Sequence, residues 1–220
     1  MHKCGCCIGA VLIVVPLLLN DYLNWETDRW RLDCLTLQTV GVLREAGIEH
    51  WATGGTLFGA HLDKRTPHAD FDADLSVLIV DAVKVRNLPW RRHGLVAYEG
   101  FGGFRIKAHA RDTIRVDIII IYNDKQCNCL RFAWSPLETF PFSYPLVPSE
   151  FIFPLQQVNF AHGTVSIPNR THEMLQWQYG AYKQTAPAGF HQLLTSTAEK
   201  KIWTALIMPH IYWISPVMPY

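Results

Sequence analysis

Asp70-Phe71-Asp72-Ala73-Asp74-Leu75-Ser76-Val77-Leu78-Ile79-Val80 sets alternating carboxylates at the head of a run that becomes almost continuously apolar. Asp72 to Val80 reads as a β-strand. Residues two apart in a strand face the same side, so Asp72 and Asp74 project their carboxylates together. Like charges that close repel one another, and burial sharpens the repulsion. A divalent cation between them relieves it, and hard oxygen ligands of this kind suit Mg²⁺ or Mn²⁺. The plain alternative is a solvated acidic turn. The apolar run counts against it, because it ties the acids directly to a buried strand.

Two other segments give the acidic pair a context. Ile114 to Tyr122 carries four consecutive isoleucines, Ile118 to Ile121, and is the strongest strand signal in the chain. Such a run is usually buried on both faces at the centre of a sheet. Asp117 lies inside it, and an acid there is costly unless paired. Arg115, two positions away on the same face, is the ordinary partner. A third metal-binding carboxylate is the sharper reading, and it gains weight only beside Asp72 and Asp74. Gly54-Gly55-Thr56 precedes these acids. A glycine turn between strand and helix lets backbone amides approach a phosphate, with the helix N-terminus aimed at it and the Thr56 hydroxyl adding a hydrogen bond. Gly-Gly is commonplace in turns, so this signal is weak when taken alone. Combined, the three segments describe a phosphoryl-transfer site: amides for the phosphates, a carboxylate-bound metal to neutralise charge, and a hydroxyl acceptor.

The remaining pattern supplies the frame. Thr27 to Ala46 reads as an amphipathic helix with Thr27 as its cap and Gly47 as its stop. Ile48 to Thr53 is extended, Leu57 to Leu62 forms one or two helical turns, and Asp63 to Ala69 is a loop. Leu95–Tyr98 and Phe104–His109 flank Gly100, Gly102 and Gly103 and suggest a hairpin. Trp134 to Pro154 is rich in Pro, Phe and Ser and reads as irregular. Thr164–Ile167 is a short strand, and Thr171 to Tyr179 a helix capped by Thr171 and ended by Gly180. The expected fold is α+β (α/β), one mixed sheet flanked by helices.

The chain has 220 residues, 49% hydrophobic and 18% charged, with a net charge of +1 and no basic run. A polyanion-binding surface needs clustered Lys and Arg, so nucleic acid is excluded as a partner. The uncharged stretch from Cys4 to Leu19 follows Lys3 and precedes Asp21, Glu26 and Asp28, with no small-residue cleavage pattern after it. It reads as an uncleaved signal anchor with the rest of the chain on the lumenal side; if it is cleaved, the protein is secreted. The expected organisation is therefore an anchor and stem over residues 1–25, a domain over 26–185 and an unassigned extension over 186–220. Cys4, Cys6 and Cys7 crowd the membrane end, where acylation is conceivable. Cys127 and Cys129 stand too close for an ordinary zinc-ligand pair. Asn169-Arg170-Thr171 is a glycosylation sequon compatible with a lumenal domain.

Trp51-Ala52-Thr53-Gly54-Gly55-Thr56-Leu57-Phe58-Gly59-Ala60, then Pro67 and the acidic cluster, resembles the LicD family of phosphocholine transferases, fukutin and fukutin-related protein. Arg115-Val116-Asp117-Ile118 looks like that family's third acidic strand. Val165-Ser166-Ile167-Pro168 and Leu175-Gln176-Trp177-Gln178-Tyr179-Gly180 are similar to its closing motif, so the resemblance spans Ile48 to Gly180. It departs from the common pattern at His68 and Ala69, which stand before Asp70 where many members have Trp and a denser acidic run. The resemblance implies a nucleotidyltransferase-type fold and transfer of a phospho-alcohol, such as phosphocholine or ribitol phosphate, from a CDP-linked donor to a glycan or glycoprotein. Carried over, it makes Asp72, Asp74 and Asp117 metal ligands and sets Gly54, Gly55 and Thr56 against the donor phosphates. Lys107 joins them as a phosphate contact, whereas Lys64 and Arg65 read as solvated surface. Among His61, His68 and His109, His68 is the best candidate base. The implied setting is the Golgi or endoplasmic reticulum membrane.

Overall fold

The computed structural model describes residues 26–67, 70–100, 102–132 and 147–179. The anchor segment, His68, Gly180 and the C-terminal extension lie outside them. Among the described residues no helix is long and apolar enough to cross a membrane.

Helix α1 runs through residues 26–45. Its buried face carries Leu32, Leu35, Thr36, Thr39, Val40 and Leu43, the three- and four-residue spacing of a core stripe. Glu26 is already helical, so Thr27 lies inside the helix and is not its cap. The other end closes as expected. Gly47 takes a φ of 65°, and the Gly47 and Ile48 amides donate to the Arg44 and Leu43 carbonyls. This double bond is the Schellman pattern, which glycine permits because it adopts left-handed φ without strain.

Strand β1 (His50–Ala52) leads through Thr53 into α2 (Gly54–Leu62), and β2 (Asp72–Leu78) follows. β2 is shorter than expected. Ile79–Asp81 turns into a 3-10 helix and Ala82–Arg86 into α3, which leaves Ile79 and Val80 exposed where a buried strand end was anticipated. β3 (Val96–Gly100) and β4 (Gly103–Lys107) form the antiparallel hairpin. β5 (Arg115–Asp124) is the central strand. It pairs in parallel with β2 along one edge, and along the other it pairs antiparallel with β4 and then with β6 (Cys129–Phe132). The mixed sheet runs β1-β2-β5-β4-β3, with β6 and β7 (Val147–Pro148) attached beside β5. The isoleucine run explains the central place of β5: Ile118 is 1% exposed and Ile120 7%. α4 (Ser149–Ile152), the β8–β9 hairpin (Gln156–Phe160 and Gly163–Ile167) and α5 (Thr171–Tyr179) complete the described chain. α4 and β8 were not expected. At α5, the Thr171 hydroxyl donates to the Pro168 carbonyl.

The loop between α2 and β2 is held from α1. The Asp33 carboxylate, fully buried, accepts from Arg65 Nε at 2.8 Å and from the Thr66 amide at 2.9 Å and hydroxyl at 2.5 Å. Arg29 Nε donates to the Thr66 carbonyl at 2.6 Å. Arg65, read as solvated surface, is instead part of this clamp.

Candidate active site on the acidic strands

The parallel register sets Asp72 opposite Arg115 and Asp74 opposite Asp117, while the antiparallel register of β4 sets Arg105 opposite Asp117. Alternation then gathers Asp72, Asp74, Arg115, Asp117, Arg105 and Lys107 on one face of three adjacent strands. β-pairing thus joins the acidic strand and the isoleucine strand at their N-terminal ends. A cavity of about 600 Å³ lined by Leu78, Ile79, Val80, Tyr122, Asp124 and Arg131 lies at the opposite ends of β2 and β5, away from these acids.

Arg115 is the hub. Its Nη2 lies 2.5 Å from Asp72 Oδ2, and its Nε lies 3.2 and 3.1 Å from the two Asp117 oxygens. Its guanidinium also sits over the Phe71 ring, 5.2 Å from the centroid. Arg105 Nε lies 3.6 Å from Asp117. The ordinary reading of Asp117, as the partner of Arg115, is therefore present, and Asp72 shares the same cation. Arg105 was not anticipated, although its alternation with Lys107 in a strand was the signal available. Lys107 Nζ donates to the Asp112 carbonyl at 2.7 Å. Burial, and then the charges of Arg115 and Arg105, lower its pKa, against the pull of Asp112 and Asp117.

Asp74 is held by its backbone. Its amide donates to Thr56 Oγ1 at 2.7 Å, and its carbonyl accepts from the Thr53 amide at 3.1 Å. Thr56 is fully buried. Its hydroxyl oxygen therefore fixes the acidic strand to the start of α2, a positioning bond that the sequence did not announce. Gly54 has a φ of 55°, and a Cβ there would meet Asp74 Oδ2 at 2.5 Å. Only glycine lets the first turn of α2 lie against that carboxylate. No acid occupies the first turn of α2 itself, so the turn keeps its own amides and positive dipole end for an anion. Gly55 is buried behind Gly54. At His61, burial first, then Lys64 and His172, lower the pKa and favour the neutral imidazole.

Burial, and then Asp72, Asp117 and Asp70, raise the Asp74 pKa well above the ordinary value, with Arg115 opposing. Asp70 is pushed up to about 7 by burial and then by Asp72, again against Arg115. The consequence for stability has a definite sign. A carboxyl that binds its proton more tightly when folded favours the folded state at low pH, and that contribution is lost as pH rises through the folded pKa. For Asp70 the loss runs from the ordinary carboxylate value of 3.8 up to about 7 and tails off above it. Without divalent metal, unfolding free energy should therefore be about 1 kcal/mol higher at pH 6.5 than at pH 8. Below pH 6.5 the Asp70 contribution continues at full slope, opposed by His50 and His61, whose pKa values burial lowers. Denaturant titrations in chelator at the two pH values check this, and equal midpoints would contradict it.

The donor chemistry of Asp72, Asp74 and Asp117 fits a hard divalent cation, being three carboxylates on adjacent strands with Asp74 protonated too readily for an unaided anion. The arrangement is not preassembled. Among the described residues no group of three or more His, Cys, Asp or Glu side chains stands in metal-holding geometry. Arg115 draws two of the three carboxylates to itself instead.

Residues 47–170, more than half of the chain, match the family model described as the LicD/FKTN/FKRP nucleotidyltransferase domain. Two curated relatives are the ribitol 5-phosphate transferases FKRP of Homo sapiens and Mus musculus. Each is 25% identical over 191 residues, covering 79% of this chain and 36% of the relative. The chain thus spans about a third of the length of the curated relatives it matches. Two solved structures of ANT(2'')-Ia, an antibiotic-resistance factor, give TM-scores of 0.46 and 0.40 at 17% and 16% identity. They cover 84% and 62% of this chain and 99% and 68% of theirs.

Proposed function

The chain belongs to the LicD/FKTN/FKRP family, and on that premise we propose that it is a metal-dependent phosphotransferase. It moves a phospho-alcohol, of the phosphocholine or ribitol-phosphate class, from a CDP-linked donor to a glycan or glycoprotein. The observation that carries this reading is the register that sets Asp74 beside Asp117 and Asp72 beside Arg115, against the glycine first turn of α2. The names of the FKRP relatives support the ribitol-phosphate class.

Asp72, Asp74 and Asp117 hold Mg²⁺ or Mn²⁺, which when bound neutralises charge on the donor diphosphate. Amides at Gly54 and Gly55 face the phosphates, and Lys107 supplies a cation from β4. The acceptor hydroxyl attacks the phosphorus that carries the alcohol. A new oxygen–phosphorus bond forms as the bond to the bridging oxygen breaks, CMP leaves, and the hydroxyl proton passes to a base. Asp117 is that base, or else serves only as a ligand.

We place the protein in the secretory pathway, anchored by its N-terminal segment or secreted after its cleavage. Two observations support this: the disulfide between Cys127 and Cys129, a bond that persists in oxidising compartments, and Asn169 of the sequon in the turn before α5.

The hold of Arg115 on Asp72 and Asp117 favours a second reading, a catalytically silent binding subunit of the same fold. Calorimetric titration of the full chain with Mn²⁺ and CDP separates the two. The phosphotransferase reading expects CDP to bind in the presence of Mn²⁺ and a panel of CDP-linked alcohols to yield CMP with one of them. Binding of neither Mn²⁺ nor CDP would leave the silent subunit. A nucleoside monophosphate found on the product by mass spectrometry would make the protein a nucleotidyltransferase instead.

A further inference from the structure

We infer that Arg115 is an internal counter-ion that holds the cation position in the metal-free protein and turns to the donor phosphate when metal and donor bind. This rests on the proposed reading of the acidic strands as a metal site and assigns a positioning role within it.

The geometry supports the first half. One guanidinium reaches carboxylates on two neighbouring strands, with Nη2 on Asp72 and Nε on both Asp117 oxygens. That is where a cation shared by these acids would sit, and a guanidinium and a metal ion cannot occupy it together. Asp74, directly beside Asp117 in register, is left out of the arrangement: no salt bridge or hydrogen bond joins its carboxylate to Arg115. A divalent ion can collect all three acids where the planar fork collects two, so metal has a reason to displace the side chain.

The surroundings support the second half. Arg115 lies on the same sheet face as Arg105 and Lys107, the two cations that β4 supplies, and its guanidinium rests on the Phe71 ring. A guanidinium released from two carboxylates keeps its aromatic shelf, and its donor fork matches two phosphate oxygens. Arg115 and Arg105 each set like charge near Lys107 on this face, so an arriving diphosphate relieves that repulsion.

The test is a pair of titrations on the full chain, with Mn²⁺ alone and with CDP at saturating Mn²⁺. Arg115→Met removes the competing cation and should tighten Mn²⁺ binding about tenfold in the absence of nucleotide. It should also weaken CDP binding about tenfold. Arg115→Lys keeps a charge but has no fork to span both acids, so it should tighten Mn²⁺ binding about threefold, and it decides the matter if Arg115→Met does not fold. The thermal upshift produced by Mn²⁺ should follow the same order. Unchanged or weaker Mn²⁺ binding in the folded variants would overturn the role of Arg115 while leaving the metal site standing. Failure of the wild-type chain to bind Mn²⁺ both alone and with CDP would instead remove the metal site on which the inference rests.

Discussion

Replacing Asp74 with Asn is expected to lower turnover about 10³-fold while raising the melting temperature of the metal-free protein. The two effects have one cause. Burial and the nearby charges of Asp72, Asp117 and Asp70 hold the Asp74 carboxyl well above its usual pKa, so its ionised form burdens the fold at neutral pH. Asparagine has nearly the same shape and no charge, which removes that burden. The bond to Thr56 Oγ1 comes from the Asp74 backbone amide and survives the substitution. What is lost is one of three anionic ligands. Transferase assays against CDP-linked alcohols and calorimetry in chelator together read both effects. Wild-type turnover would exclude Asp74 from the reaction, and a lower metal-free melting temperature would show that its charge stabilises the fold.

Asp33→Ala should be the most damaging change outside the site. Asp33 takes one amide, one hydroxyl and one guanidinium hydrogen bond from the loop that leads toward β2. Removing the acceptor leaves the Thr66 amide unpaired in a buried position and Arg65 without its main partner. The expected loss is about 3 kcal/mol, which for a chain of this size lowers the melting temperature by roughly 6–12 °C. Turnover should fall as well, because the same loop delivers the chain to the acidic strand. Asp33→Asn keeps one acceptor oxygen and should recover part of the stability. If the alanine variant melted within a degree or two of wild type, the clamp would be dispensable.

Much of this architecture was legible because single residues carry strong local constraints. Gly47 marks the end of α1 through a φ that other residues avoid, and the isoleucine run of β5 announces a central strand through its apolarity on both faces. Asp72 and Asp74 share a face because strand alternation leaves no choice. Other boundaries misled for physical reasons. Val80 is as apolar as Val77, yet it is 77% exposed because β2 ends at Leu78 and turns into a 3-10 helix. Thr56 follows a glycine pair as a phosphate contact would, and its hydroxyl oxygen also accepts from the Asp74 amide, a positioning bond that no local pattern announces.

The order of the segments, the alternating acids and the glycine turn were thus determined by the sequence alone, since each depends on neighbours a few residues apart. Tertiary structure decided the pairing of β2 with β5 in parallel, the arrival of Arg105 from β4, and the choice of Arg115 as the cation for both Asp72 and Asp117. Those outcomes depend on strand register. A one-residue slip would turn every one of these side chains to the other face, and register is set by packing across the whole sheet.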